Sequence, residues 1–158
     1  MSETCGHSHA ETGLHGAALR EALDAAERRC GQAGERLTPP RRRVLELLLE
    51  AGQPAKAYDL IGAFGAGGQA AKPPTVYRAL EFLEKTGLAH RIASLSSYVA
   101  CGHGEGAHTA AFLICDCCGD TREIEPPGMA ALERSAEGQG YALDRVAIEA
   151  HGRCPACV

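Results

Sequence analysis

Lys72-Pro-Pro-Thr-Val-Tyr-Arg-Ala-Leu-Glu-Phe-Leu-Glu-Lys-Thr-Gly87 reads as a helix that Pro74 starts and Gly87 stops. Its buried stripe is Val76, Leu80 and Leu83, which leaves Thr75, Arg78, Glu81 and Lys85 on other faces, towards solvent or a partner. Three further helices precede it. Ala57 to Phe64 is one, and Thr38 to Gly52 another, with Thr38 as N-cap, prolines in the first turn, Leu37 as a hydrophobic staple and Gly52 as terminator. The earliest shows Leu19, Leu23, Ala26 and Cys30 on one face, which makes Cys30 a core residue. Beyond Gly87 the pattern changes to two short runs, Leu88 to Ile92 and Ser97 to Ala100, a hairpin around Ala-Ser-Leu-Ser. Helices followed by a hairpin make a winged helix-turn-helix.

The rest of the chain reads as strand (Ala110 to Cys115), strand (Asp120 to Glu125), helix (Pro127 to Glu137, closed by Gly140) and strand (Tyr141 to Glu149). That is a small α+β unit of about fifty residues, thin for an independent core, so metal and a partner chain are expected to complete it. The glycines of Gly102-His-Gly-Glu-Gly-Ala107 mark a hinge between the two parts.

Charge supports the division. The 158 residues carry a net of -4, but residues 1–35 carry 3 basic and 6 acidic side chains, 36–91 carry 9 and 5, and 92–158 carry 4 and 9. A basic middle thus precedes an acidic, cysteine-rich end. No run approaches the ~18 apolar residues of a membrane span, and the polar N-terminus has no apolar signal core, so a cytoplasmic protein is expected. In a reducing compartment clustered cysteines bind metal or do redox chemistry more often than they form a disulfide framework.

Cys115-Asp-Cys-Cys118 and Cys154-Pro-Ala-Cys157 are two C-x-x-C pairs. Each pair can chelate one ion from a tight turn, and together Cys115, Cys118, Cys154 and Cys157 offer the four thiolates of a structural zinc site. Cys117 could replace Cys118, but Gly119 suits the turn closing a Cys115–Cys118 chelate, so Cys117 reads as a spare thiol. A thioredoxin-type redox motif would need one C-x-x-C opening a helix in a βαβ context, which neither pair has.

A second candidate set is His90, Cys101, His108 and Glu123, drawn from the wing, the hinge and the C-terminal strands, with His103 as a fifth candidate. Four thiolates around Zn2+ leave a formal charge of -2; one thiolate, one carboxylate and two neutral imidazoles leave zero. The first site should therefore hold its metal almost permanently and the second more exchangeably. Cys5-Gly-His-Ser-His9 reads as a tail with adventitious metal affinity.

From about residue 16 to the end, the sequence resembles the ferric uptake regulator family of metal-dependent repressors. The resemblance rests on Arg36-Leu-Thr-Pro-Pro-Arg41, Ala57-Tyr-Asp-Leu60, Pro73-Pro-Thr-Val-Tyr-Arg-Ala-Leu80 and the two C-x-x-C pairs in that order. Lys72-Pro-Pro-Thr-Val-Tyr-Arg, Ser97-Tyr-Val-Ala-Cys101, His108-Thr109 and Glu149-Ala-His-Gly-Arg-Cys-Pro-Ala-Cys-Val158 look like its zinc uptake regulator branch. Iron-sensing members carry a histidine-rich run ahead of the first C-x-x-C. Here only His108 remains of it, and the Cys101 thiolate favours zinc.

The resemblance implies an α+β protein: a tail over 1–15, a winged-helix DNA-binding domain over 16–101, a hinge over 102–108, and a small α/β dimerisation domain with structural zinc over 109–158. It implies two Zn2+ per chain, with Cys115, Cys118, Cys154 and Cys157 structural and His90, Cys101, His108 and Glu123 binding the sensed zinc. The function it implies is a homodimeric zinc-responsive repressor of zinc uptake and homeostasis genes, reading a double-stranded DNA operator with dyad symmetry. Arg78 is then expected to contact a base, Tyr77 and Thr75 to contact groove or phosphate, and Tyr58 to contact base or backbone unless it packs in the core. Rival readings are an iron, manganese or peroxide sensor of the same family, a thiol oxidoreductase or zinc hydrolase, and an interaction module of the zinc-ribbon type. No H-E-x-x-H, deaminase signature or nucleophile elbow supports an enzyme.

Overall fold

α4 (Pro73–Lys85) is the helix that the rest of the N-terminal part surrounds. It buries Val76, Leu80 and Leu83 as the stripe required, and Ala79 and Phe82 with them. α1 (Gly16–Gln32), α2 (Pro39–Ala51) and α3 (Ala57–Phe64) add Leu19, Leu23, Ala26, Cys30, Val44, Leu45, Leu48 and Leu60 to one core. The computed structural model describes residues 13–65, 71–102, 109–144 and 146–158. Those residues fall into two compact units, one over 13–102 and one over 109–158.

α2 keeps its sequence-read ends. Thr38 is the N-cap, but its hydroxyl makes no capping bond. Pro40 at the second position removes one of the two N–H donors an N-cap oxygen can use, which leaves only the Arg41 N–H. Gly52 closes the helix in the left-handed region, φ 60°, where a side chain would be strained. Arg42 holds α1 to α2 through Asp24 and Glu27, at 3.0 and 2.9 Å.

The wing is an antiparallel hairpin of β2 (Ala89–Ile92) and β3 (Ser97–Ala100). A two-residue strand, β1 (Ala55–Lys56), adds to its open edge opposite Tyr98 and Ser97, giving the order β1-β3-β2. So short a strand shows no alternation in sequence. It is set by β3 and by the N-terminus of α3.

The second unit is a three-stranded sheet of order β5-β4-β6, from β4 (Ala110–Cys115), β5 (Thr121–Ile124) and β6 (Ala147–Gly152), with α5 (Met129–Gly138) between β5 and β6. β4 pairs antiparallel with β5 and parallel with β6. The last strand runs over 147–152, not over the expected 141–149. Gly140 is left-handed and the Tyr141 N–H turns back to the Ala136 carbonyl, which keeps Tyr141 and Leu143 exposed and outside the sheet. α5 starts two residues later than Pro127 because Gly128, at φ 72°, is its N-cap. The expected hinge beyond Gly102 and the tail before Gly13, with Cys5, His103 and His108, lie outside the described residues.

Candidate metal centre and nucleic-acid interface

Cys115 ends β4 directly opposite Gly152, the last residue of the parallel strand β6. Both C-x-x-C turns therefore leave the sheet at the same end. Sulfurs of Cys115, Cys118, Cys154 and Cys157 all lie within 4.8 Å of one another, and Cys118 Sγ is 3.6 Å from Cys154 Sγ. Zn–S bonds of about 2.3 Å at tetrahedral angles put sulfurs about 3.8 Å apart, so this cluster fits zinc with little movement. Gly119, φ 78°, makes the first turn, and its N–H bonds the Cys115 carbonyl at 2.9 Å.

Backbone donors converge on one sulfur. The N–H groups of Cys118, Cys154 and Cys117 lower the Cys115 thiol to about 6, so it is a thiolate at neutral pH. Loss of hydration and the neighbouring Cys154, Cys118 and Cys115 sulfurs push Cys157 up to about 12. Cys118 is also raised: the Asp120 N–H lowers it, but lost hydration and the Cys115 and Cys154 sulfurs outweigh that donor. Crowded thiols thus hold protons until a cation replaces them, which is the chemistry of a metal-binding cage.

His151 Nδ1 lies 2.8 Å from Asp116 Oδ1, and the Asp116 N–H bonds the Gly152 carbonyl at 2.9 Å. These contacts clasp the two chelate turns together. Sequence reasoning missed them, although both residues stand inside the motif stretches. Cys117 is exposed and disulfide-bonded, so it is not the spare thiol that the spacing suggested.

Of the second set, His90 and Cys101 are neighbours. His90 is paired with Val99, which puts Cys101 diagonally across on the same face of the wing. Their ligand atoms lie within 4.8 Å of each other. The Cys101 N–H bonds the Leu88 carbonyl at 3.0 Å, and the Leu88 N–H bonds the Leu83 carbonyl in α4 at 2.8 Å. Glu123, in the other unit, is half-buried on β5 opposite Phe112. His108 falls outside the described residues.

Tyr58 on α3 is 83 % exposed and Tyr77 on α4 is 52 % exposed, so neither packs in the core. Arg78 is exposed and Thr75 half-buried. Much of the basic middle is engaged within the fold. Arg41 stacks 3.6 Å from the Phe82 ring centroid, Arg42 pairs with Asp24 and Glu27, and Arg43 with Glu46 at 2.6 Å. Among the described residues Lys56, Lys72, Arg78 and Arg91 have no ion pair and stand exposed. Lys56 and Lys72 precede α3 and α4 as their N-caps.

Residues 32–151 match the profile of the ferric uptake regulator family. The chain belongs to the ferric uptake regulator family. The zinc uptake regulation protein of Escherichia coli (strain K12) is 43% identical over 141 residues, which are 88% of this chain and 82% of that one. The peroxide operon regulator of Bacillus subtilis (strain 168) is 26% identical over 145 residues, 88% of this chain and 92% of the relative. Among solved structures, a zinc uptake regulator complexed with zinc and DNA superposes with a TM-score of 0.83 at 40% identity, over 89% of this chain and 95% of the other. Membership of this regulator family sets the chain apart from the oxidoreductase and hydrolase readings. Among the described residues no helix is long and apolar enough to cross a membrane.

Proposed function

We propose that this member of the ferric uptake regulator family is a zinc-responsive DNA-binding repressor of zinc uptake and homeostasis genes, acting as a cytoplasmic homodimer with zinc as co-repressor. The observation that carries this reading is the 43% identity to a zinc uptake regulation protein across 88% of the chain. Two zinc ions per chain are proposed. Cys115, Cys118, Cys154 and Cys157 hold the structural one; His90, Cys101, His108 and Glu123 hold the regulatory one. The nearness of His90 to Cys101 supports the second assignment, and a thiolate beside an imidazole suits zinc better than iron or manganese.

The winged-helix unit over 16–101 is the DNA reader and the unit over 109–158 the dimerisation domain, joined by the hinge over 102–108. α5 buries no residue within its own chain, and Leu132 on α5, Tyr141 and Leu143 after it, and Leu113 on β4 are exposed, an apolar supply for a second copy. In a dimer two copies of α4 enter two major-groove half-sites of a dyad operator. Lys56, Lys72 and Arg91 supply phosphate attraction, Arg78 reads a guanine with its free guanidinium fork, and Tyr58, Tyr77 and Thr75 contact bases or backbone.

Ligands from the wing, the hinge and β5 make the regulatory site a means of fixing the reader against the dimer domain. Cys101 is one backbone hydrogen bond from Leu88, which follows α4 directly, so order at the wing base bears on the recognition helix. A typical coupling of about 1–3 kcal/mol gives roughly 5–150-fold tighter operator binding. Native mass spectrometry tests the assembly: the expected species is a dimer carrying two zinc ions per chain, of which a chelator removes one readily. A monomer, or a single zinc class, would contradict it. Loading the exchangeable site with manganese or iron(II) should restore DNA binding less well than zinc.

A further inference from the structure

The exposed face of α4 opposite Val76, Ala79, Leu80 and Leu83 carries Pro74, Tyr77, Arg78, Glu81 and Lys85. Glu81 lies seven residues beyond Pro74, four and three beyond Tyr77 and Arg78, and four before Lys85. At 3.6 residues per turn it stands near the middle of that face. A carboxylate there is repelled by phosphate. On a helix surface its usual compensation is a lysine four residues on. Lys85 is not available for that, because its Nζ sits 3.3 Å from Glu35 Oε1. Among the described residues neither Glu81 nor Arg78 makes a hydrogen bond or ion pair. Glu81 is also too far along α4 to serve the dipole of its N-terminus.

We propose that Glu81 is a specificity-determining residue, which accepts a hydrogen bond from the N4 amine of a cytosine one base step from the base that Arg78 reads. The inference rests on the DNA-reading function proposed above. A carboxylate only accepts, and the major groove offers it donors at cytosine N4 and adenine N6. Adenine sets its N7 acceptor beside that amine, while guanine and thymine present acceptors that repel the carboxylate. Glu81 therefore selects partly by exclusion. Three residues of helix rise about 4.5 Å, close to one base step of about 3.4 Å.

The test selects duplexes from a randomised pool at one buffered free zinc concentration, using the full chain as wild type, Glu81→Ala, Glu81→Gln and Arg78→Ala. Zinc content and helicity should match in all four, since both side chains are exposed. Wild type is expected to prefer cytosine at one position of each half-site by at least about fivefold. Glu81→Ala should flatten that position and leave the neighbouring one that Arg78→Ala flattens. Glu81→Gln should shift it towards adenine, which pairs with an amide that both donates and accepts. A Glu81→Ala motif unchanged at every position, whether bound more tightly or not, would overturn the proposal, because the carboxylate would then only repel phosphate. Failure of wild type to enrich any motif would overturn the DNA-reading function and this inference with it.

Discussion

Cys118 Sγ and Cys154 Sγ lie 3.6 Å apart although thirty-six positions separate them. The parallel pairing of β4 with β6 accounts for this, because it sets Cys115 opposite Gly152 and turns both chelate loops out at one sheet end. Parallel strands need a crossover, here β5 and α5, and a metal held by the four cysteines at the open end would tie it shut.

Removing one member of the cluster should therefore cost the unit its fold. Cys115→Ser is expected to lose the tightly held zinc and to give a misfolded or monomeric chain, read by zinc content, near-UV circular dichroism and sedimentation. A soluble dimer with the wild-type near-UV spectrum would count against a structural role for this zinc.

The thiol ionisation gives a sign to the pH dependence of zinc uptake. Without metal near pH 7, Cys115 with its value of about 6 is ionised, while Cys118 and Cys157 keep their protons. Zinc must displace at least those two protons, so affinity should fall as pH falls, by about 100-fold or more per pH unit around neutrality. Calorimetry in buffers of different ionisation heat measures the release. Fewer than one proton per zinc would mean that these thiols are not the ligands.

At the second site Cys101→Ser should keep the helices and the structural zinc, lower zinc content by one ion per chain, and abolish the roughly 5–150-fold gain in DNA affinity on adding zinc. An unchanged zinc response would show that the sensing ligands are assigned wrongly.

Arg78→Ala is expected to leave zinc binding intact and to cost about 1–3 kcal/mol of discrimination at one base position. Lys72→Ala should instead weaken binding to all sequences alike and reduce its salt dependence by about one counterion. Retained preference in Arg78→Ala would remove the assigned contact.

Leu80→Ala tests the packing, since Leu80 is fully buried at the centre of the N-terminal core. A loss of about 2–5 kcal/mol is expected in denaturant unfolding, with the four-cysteine zinc retained. A change below about 1 kcal/mol would show that α4 is not held by that stripe.

Much of this was legible in the sequence, and for definite reasons. α2 and α4 open on prolines and are followed by Gly52 and Gly87, strong local signals, and the apolar spacing of α4 marks Val76, Leu80 and Leu83 as core. The four cysteines were legible because chelate spacing is itself local. What escaped depends on distant partners. β1 is set by Tyr98 and Ser97, and β6 takes its span from β4 rather than from the apolar run at Tyr141. The Asp116–His151 clasp joins residues that no periodicity relates, and the engagement of Arg41, Arg42, Arg43 and Lys85 inside the fold leaves the exposed positive charge of the basic middle on Arg36, Lys56, Lys72, Arg78 and Arg91.

On the proposed function this chain reads DNA sequence only when zinc is bound. The most direct test is to incubate the chain with a randomised duplex pool at buffered nanomolar-range free zinc, and again with chelator, and to sequence what is retained. One dyad motif enriched with zinc and absent with chelator is the expected result. The same motif in both conditions would contradict zinc control, and no motif in either would contradict the reading as a repressor.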